Sequence, residues 1–150
     1  MKILMVCLGN ICRSPLAEGI LHSKIMNHSL GWKVESAGTS AYHAGDLPDQ
    51  RSIHVAAKYG LDITNQRSRQ VKPNDLDYFD LVYAMDASNY NNLTKMASSP
   101  DQLEKIKLIM NEAFPGENRG VPDPYWDNDG FENVYNMLDL ACSQIIEKYR

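Results

Sequence analysis

The chain has 150 residues, 43% of them hydrophobic and 23% charged, which suits one compact domain and excludes wholesale disorder. A formal net charge of −4 argues against a broad nucleic-acid-binding surface. The charge is uneven: nine Lys/Arg face six Asp/Glu up to Asp75, whereas six face thirteen from Leu76 onward, so an anionic ligand belongs with the first half.

The first apolar run, Lys2–Val6, reads as a buried strand. Arg13 follows too soon for a secretory leader, and no stretch approaches the roughly 20 apolar residues of a membrane span. Three cysteines, Cys7, Cys12 and Cys142, are too few for a disulfide framework and suit a reducing, cytoplasmic setting. Ser14 and Pro15 read as the N-cap and first position of a helix carrying Leu16, Ile20, Leu21 and Ile25 at helical spacing. A strand is expected at Val34–Ala37, and a helix from about Asp49 to Tyr59, stopped by Gly60. Then come a strand at Leu81–Ala84, a helix from Ala87 to about Ala97 and a strand at Ile106–Met110. The pattern Asp129-Gly130-Phe131-Glu132 reads as a capping box for a last helix with Val134, Met137, Leu138, Ala141, Ile145 and Ile146 on one side. Alternating strands and helices predict an α/β fold with a mostly parallel sheet. Such sheets bind ligands beyond the carboxyl ends of their strands, and the first such end is Cys7.

The residues there have a chemistry of their own. Cys7, Leu8, Gly9, Asn10, Ile11, Cys12, Arg13, Ser14 and Pro15 join a buried strand directly to a helix N-terminus. Gly9 and Asn10 tolerate positive φ, so the loop can curl with its N–H groups inward as a nest for a phosphate-like anion. Arg13 adds a planar fork that grips two oxygens. Cys7 lies at the base, where a positive field favours thiolate over thiol and the sulfur faces a bound phosphorus for in-line attack. The plain reading, a small buried Cys and a solvated Arg, leaves a cation at a helix start unexplained. An anion held between the two explains it.

Cys7 to Pro15 resembles, almost residue for residue, the phosphate loop of the low-molecular-weight protein tyrosine phosphatases. The resemblance continues through Ser36-Ala37-Gly38-Thr39, Arg69-Gln70, Phe79-Asp80, Met85-Asp86-Ala87-Ser88-Asn89 and Asp123-Pro124-Tyr125. It implies a four-stranded parallel sheet flanked by helices and hydrolysis of phosphotyrosine and aryl phosphate monoesters through a phosphocysteine. It also implies that Cys7 is the nucleophile and Arg13 the phosphate clamp, with Leu8 to Ser14 wrapping the phosphate. Asn10 then steadies the loop, and Ser14 hydrogen-bonds the sulfur. Where many members carry a His that orders the loop asparagine, this chain has Gln66, an amide that can still donate. The partners implied are tyrosine-phosphorylated proteins and oxyanion inhibitors.

Expelling a phenolate needs a proton donor within reach of the ester oxygen. Asp123, Asp127 and Asp129 are the carboxylates available beside the aromatic loop. Asp123 stands between two prolines that hold the chain extended, and it heads the Asp-Pro-Tyr signature, so it is read as the acid. Asp129 is read as the helix cap, and Asp127 as solvent-facing or a secondary cap. Tyr42, His43, Tyr125 and Trp126 are read as walls admitting an aryl phosphate, with half-buried packing as the alternative for Tyr42 and Trp126. Arg51 is either a recruiter of acidic partners or a solvated helix charge. Cys142 reads as core. Cys12, five residues from Cys7, is a candidate redox partner able to form a disulfide with it. His22, His28, His43 and His54 show no metal-ligand spacing, so no metal or cofactor is expected, and a monomer is.

Three other readings compare poorly. An arsenate reductase needs further cysteines after the third strand, where Ala84, Met85 and Asp86 stand. A phosphoarginine phosphatase typically has Thr where Ile11 stands. A non-enzymatic phosphate carrier needs neither a leaving-group acid nor rapid hydrolysis, so Arg13 and Asp123 together argue against it.

Overall fold

The computed structural model describes residues 1–150. Its four strands are β1 (Lys2–Cys7), β2 (Lys33–Gly38), β3 (Leu81–Ala84) and β4 (Ile106–Leu108). They pair in parallel in the order β2-β1-β3-β4. The chain leaves β1 toward β2 on one side and returns to β3 on the other, so the order reverses beside β1. A crevice opens at such a point, beyond the carboxyl end of β1.

Both faces of the sheet are covered, which explains why the strand residues are continuously apolar. Ile3, Met5 and Cys7 face one layer with Leu81, Tyr83 and Met85, against α1 (Arg13–Asn27), α2 (Gln50–Lys58) and α6 (Gly130–Tyr149). Leu4, Val6, Val82 and Ala84 face the other, against α3 (Asp75–Tyr78) and α4 (Ala87–Met96), while α5 (Pro100–Lys105) leads into β4. Leu16, Ile20, Leu21 and Ile25 of α1 are buried at 2% exposure or less, each contributing about 1.5–3 kcal/mol of apolar burial. Cys142 is fully buried against the same helix.

Several boundaries differ from the sequence expectation. The first helix begins at Arg13, with Cys12 at the cap position and no side-chain cap, so Ser14 is inside it. Its hydroxyl is engaged by Asn10 Nδ2 instead. Strand β4 ends at Leu108, and Ile109 and Met110 belong to a 3-10 turn. Both are buried, so the apolar run marked burial rather than extended backbone. The capping box before α6 does not form: Asp129 makes no side-chain cap, and Glu132 accepts from Lys58 Nζ and the Tyr59 hydroxyl. No helix is long and apolar enough to cross a membrane.

Candidate active site

The segment after β1 is a ring in which five carbonyls are bonded to partners outside it. Cys7 O accepts from Thr39 N at 2.9 Å and Leu8 O from Ser40 N at 3.0 Å. Gly9 O accepts from Ser68 Oγ at 2.9 Å, Ile11 O from Asp49 N at 2.8 Å and Cys12 O from Ser52 Oγ at 3.1 Å. In a trans peptide the N–H points opposite to the carbonyl, and no bond here is cis. The amides of Leu8, Gly9, Asn10, Cys12 and Arg13 are therefore turned inward. One of them verifies the rule directly, since Asn10 N donates to Cys7 Sγ at 3.2 Å. Only Asn10 has the left-handed conformation, with φ of 57°, whereas both Gly9 and Asn10 were expected to be free to use it. Gly9 serves by its size: a Cβ there would stand 3.1 Å from the His43 ring.

Gly38, at the end of β2, is the tightest point. A Cβ there would lie 2.7 Å from Leu8 O, so the ring closes over the sheet only because this residue has no side chain. Beside it, Asn10 Nδ2 donates to Ser14 Oγ at 2.8 Å and to Ser36 Oγ at 2.9 Å, while Asn10 Oδ1 accepts from Arg69 N at 3.1 Å. Gln66 does not take the place expected of it. Its Nε2 donates to Pro15 O at 3.1 Å, and serine hydroxyls and the Arg69 backbone hold Asn10 instead.

Arg13 is 3% exposed. Its Nη1 donates to Asp86 Oδ2 at 2.6 Å and to Val121 O at 2.9 Å, and Nη2 lies 3.8 Å from Asp123 Oδ2. Asp86 follows β3 and also caps α4 by accepting from Asn89 N, so one carboxylate braces the guanidinium and starts a helix. Asp123 caps a 3-10 turn, Pro124–Trp126, accepting from Tyr125 N at 3.1 Å. Asp127 accepts from Asp129 N, the local role of a secondary cap.

A cavity of about 460 Å³ stands over the ring, lined by Cys7, Cys12, Arg13 and Asp123 below and by Tyr42, His43, Tyr125 and Trp126 around its mouth. The Tyr42–His43 rings meet edge to face with centroids 5.2 Å apart, and Tyr125–Trp126 likewise at 4.8 Å. Tyr42 and Trp126 are each 88% exposed, which rules out half-buried packing for both. Arg51 is not a free charge: it grips Asp49 with two nitrogens at 3.0 Å and donates to Asn128 Oδ1 at 2.6 Å. Its guanidinium lies over the Phe131 and Tyr125 rings, tying α2 to the loop that carries Asp123.

Cys12 is buried in the same wall as Cys7, and its pKa is pushed up to about 12, first by burial and then by the Asp49 carboxylate. It keeps its proton at neutral pH.

The profile of the low molecular weight phosphotyrosine protein phosphatases matches residues 2–150. The chain belongs to that family. A relative from Synechocystis sp. with the same family designation is 43% identical over 97% of this chain and 94% of its own. A solved Entamoeba histolytica protein tyrosine phosphatase superposes with a TM-score of 0.92 at 38% identity, covering 99% of this chain and 96% of its own. The solved Drosophila arginine phosphatase superposes with a TM-score of 0.93 at 34% identity, covering all of this chain and 98% of its own. As a member of this family, the phosphatase is a hydrolase of phosphotyrosine that works through a covalent cysteine intermediate.

Ser36, Gly38, Ser68 and Glu18 are among the residues of the phosphatase site that carried no role in the sequence reading. Ser36 and Gly38 lay within a quoted motif, which was their only signal. Ser68 and Glu18 had none, because each acts through a partner distant in sequence.

Proposed function

We propose that Cys7 is the nucleophile of this phosphatase, Arg13 its phosphate clamp and Asp123 its proton donor. The phosphoryl group of an aryl phosphate sits in the ring of amides, with its oxygens on the N–H groups and the guanidinium. Cys7 Sγ attacks phosphorus in line as the ester bond breaks, and Asp123 delivers a proton to the departing phenolate oxygen. In the second step Asp123 takes a proton from water, the water attacks phosphorus, and the thiolate leaves with Ser14 Oγ, 3.0 Å away, donating to it. Negative charge growing on the equatorial oxygens meets donors already in place, which is where the barrier is lowered most.

The observation that carries this reading is the set of outward-bonded carbonyls, because it orients the amides before any anion arrives. The cavity mouth supports the aryl preference: the two aromatic pairs that line it offer ring faces and edges against which a phosphotyrosine ring can pack, contacts that the short chain of a phosphoserine lacks. Tyrosine-phosphorylated proteins are the substrate class, acted on by a monomer in the cytoplasm.

The likeness to the Drosophila arginine phosphatase raises a second substrate, phosphoarginine. Ile11 lines the cavity where a Thr is typical of that activity, and this favours the phenolic ester. Assaying peptides carrying phosphotyrosine, phosphoserine or phosphoarginine, with chelator present, tests the assignment. Turnover of phosphotyrosine well above both others is expected, and a preference for phosphoarginine would reverse it.

A further inference from the structure

Glu18 lies on α1, one turn beyond Ser14, and its carboxylate connects to the active-site sulfur through a buried relay. Ser36 Oγ donates to Glu18 Oε1 at 2.7 Å. Asn10 Nδ2 donates to Ser36 Oγ at 2.9 Å and to Ser14 Oγ at 2.8 Å. Ser14 Oγ then stands 3.0 Å from Cys7 Sγ.

The relay has one polarity. Asn10 Oδ1 is occupied by the Arg69 N–H, so the amide cannot reverse, and both of its Nδ2 hydrogens go to the serines. Ser36 spends its only proton on Glu18. Ser14 accepts from Asn10, which leaves its proton available to donate to a Cys7 thiolate. A charged carboxylate at the far end makes the Ser36 bond charge-assisted and Ser36 Oγ a better acceptor, which holds Asn10 more firmly.

We propose that Glu18 is a positioning residue for phosphoryl transfer, its charge setting how tightly Asn10 and Ser14 are held against Cys7. The proposal rests on the reading of Cys7 as nucleophile.

The charges around Glu18 are few. Glu35 on β2 opposes its ionisation, and Arg69 favours it only in part, because that guanidinium also binds Asp75 and approaches Glu35. Gln66, on the segment that packs against α1, is neutral, and its buried Oε1 has no donor. Burial is the largest influence and raises the Glu18 pKa to about 7, with the Ser36 bond partly offsetting it. The relay thus changes character around neutral pH.

The test is the rate at which iodoacetamide alkylates Cys7, followed across neutral pH by mass spectrometry, together with kcat on a saturating aryl phosphate. The parent should show a step near pH 7 in both, about fivefold in size, as expected when one hydrogen bond changes from neutral to charge-assisted. Glu18→Gln should lose the step while still binding inorganic phosphate. Ser36→Ala, which cuts the relay and leaves the carboxylate, should lose it as well. Glu35→Gln should keep the step and move it to lower pH. Coincident profiles for the parent, Glu18→Gln and Ser36→Ala would overturn the role of Glu18. Failure of the nucleophile reading looks different: the adduct would then form on another residue while Cys7 stayed unmodified.

Discussion

Asp123 Oδ2 faces Arg13 Nη2 at 3.8 Å across the wall of the cavity. If Asp123 is the proton donor and Arg13 the clamp, as proposed, a phosphate ester seated in the ring turns its leaving oxygen toward Asp123 and its equatorial oxygens toward Arg13. Asp123→Asn should therefore slow phosphotyrosine hydrolysis by roughly 10²–10⁴-fold. The loss should shrink for an activated aryl ester whose leaving group departs without a proton. Comparing kcat for the two esters checks this, and equal losses would remove Asp123 from the role.

Gly38 is held to glycine by geometry rather than by φ, since Leu8 O stands 2.7 Å from where a Cβ would be. The obstacle is backbone, so it cannot swing aside. Gly38→Ala should cost about 1–3 kcal/mol of stability and displace the ring. Misplacement on the order of 1 Å should lower kcat/KM about 10²-fold. Thermal unfolding and phosphate titration report the two effects, and normal phosphate affinity would show that the ring tolerates the added carbon.

Between its ordinary value of 4.5 and about 7, Glu18 holds a proton in the folded protein that the unfolded chain has released. Stability should therefore fall as pH rises through that window, by ~3 kcal/mol at most. Glu18→Gln cannot ionise, so its stability relative to the parent should improve from about pH 5 to about pH 8. Urea midpoints at the two values measure this. An unchanged difference between the proteins would mean that Glu18 titrates normally.

Much of this site was legible because it is contiguous. Cys7 to Pro15 carries nest, nucleophile and clamp within one strand–loop–helix turn, where local conformation decides geometry. The parallel sheet was legible from its continuous apolar runs. What escaped was set by distant partners. Ser14 reads as a cap until Asn10 claims its hydroxyl, and Glu132 completes a capping box until Lys58 and Tyr59, 74 and 73 residues away, draw it off. Arg51 reads as a solvated charge until Asn128, 77 residues on, comes beside it. The short helices α3 and α5, of four and six residues, carry too little periodicity to be seen.

Cys12 shares the cavity wall with Cys7 and stays protonated, so it is poorly suited to react with peroxide itself. Peroxide should oxidise Cys7 to a sulfenic acid, releasing water. Once Cys7 is a neutral sulfenic acid, its charge no longer opposes ionisation of Cys12. The Cys12 sulfur should then attack that of Cys7, its proton leaving with the displaced hydroxide as a second water and a disulfide forming. A dithiol should restore activity to the parent, whereas Cys12→Ala should be active yet recover poorly. Recovery of Cys12→Ala to the level of the parent would leave Cys12 with a packing role alone.

On the proposed mechanism the sulfur at the base of the ring takes the phosphoryl group. Acid quenching during turnover of an aryl phosphate, followed by digestion and mass spectrometry, should show one added phosphoryl group on Cys7. It should be absent from Cys7→Ser, which should still bind inorganic phosphate. A phosphoryl group on Cys12 or on a histidine, or sustained turnover by Cys7→Ser, would show that Cys7 is not the nucleophile.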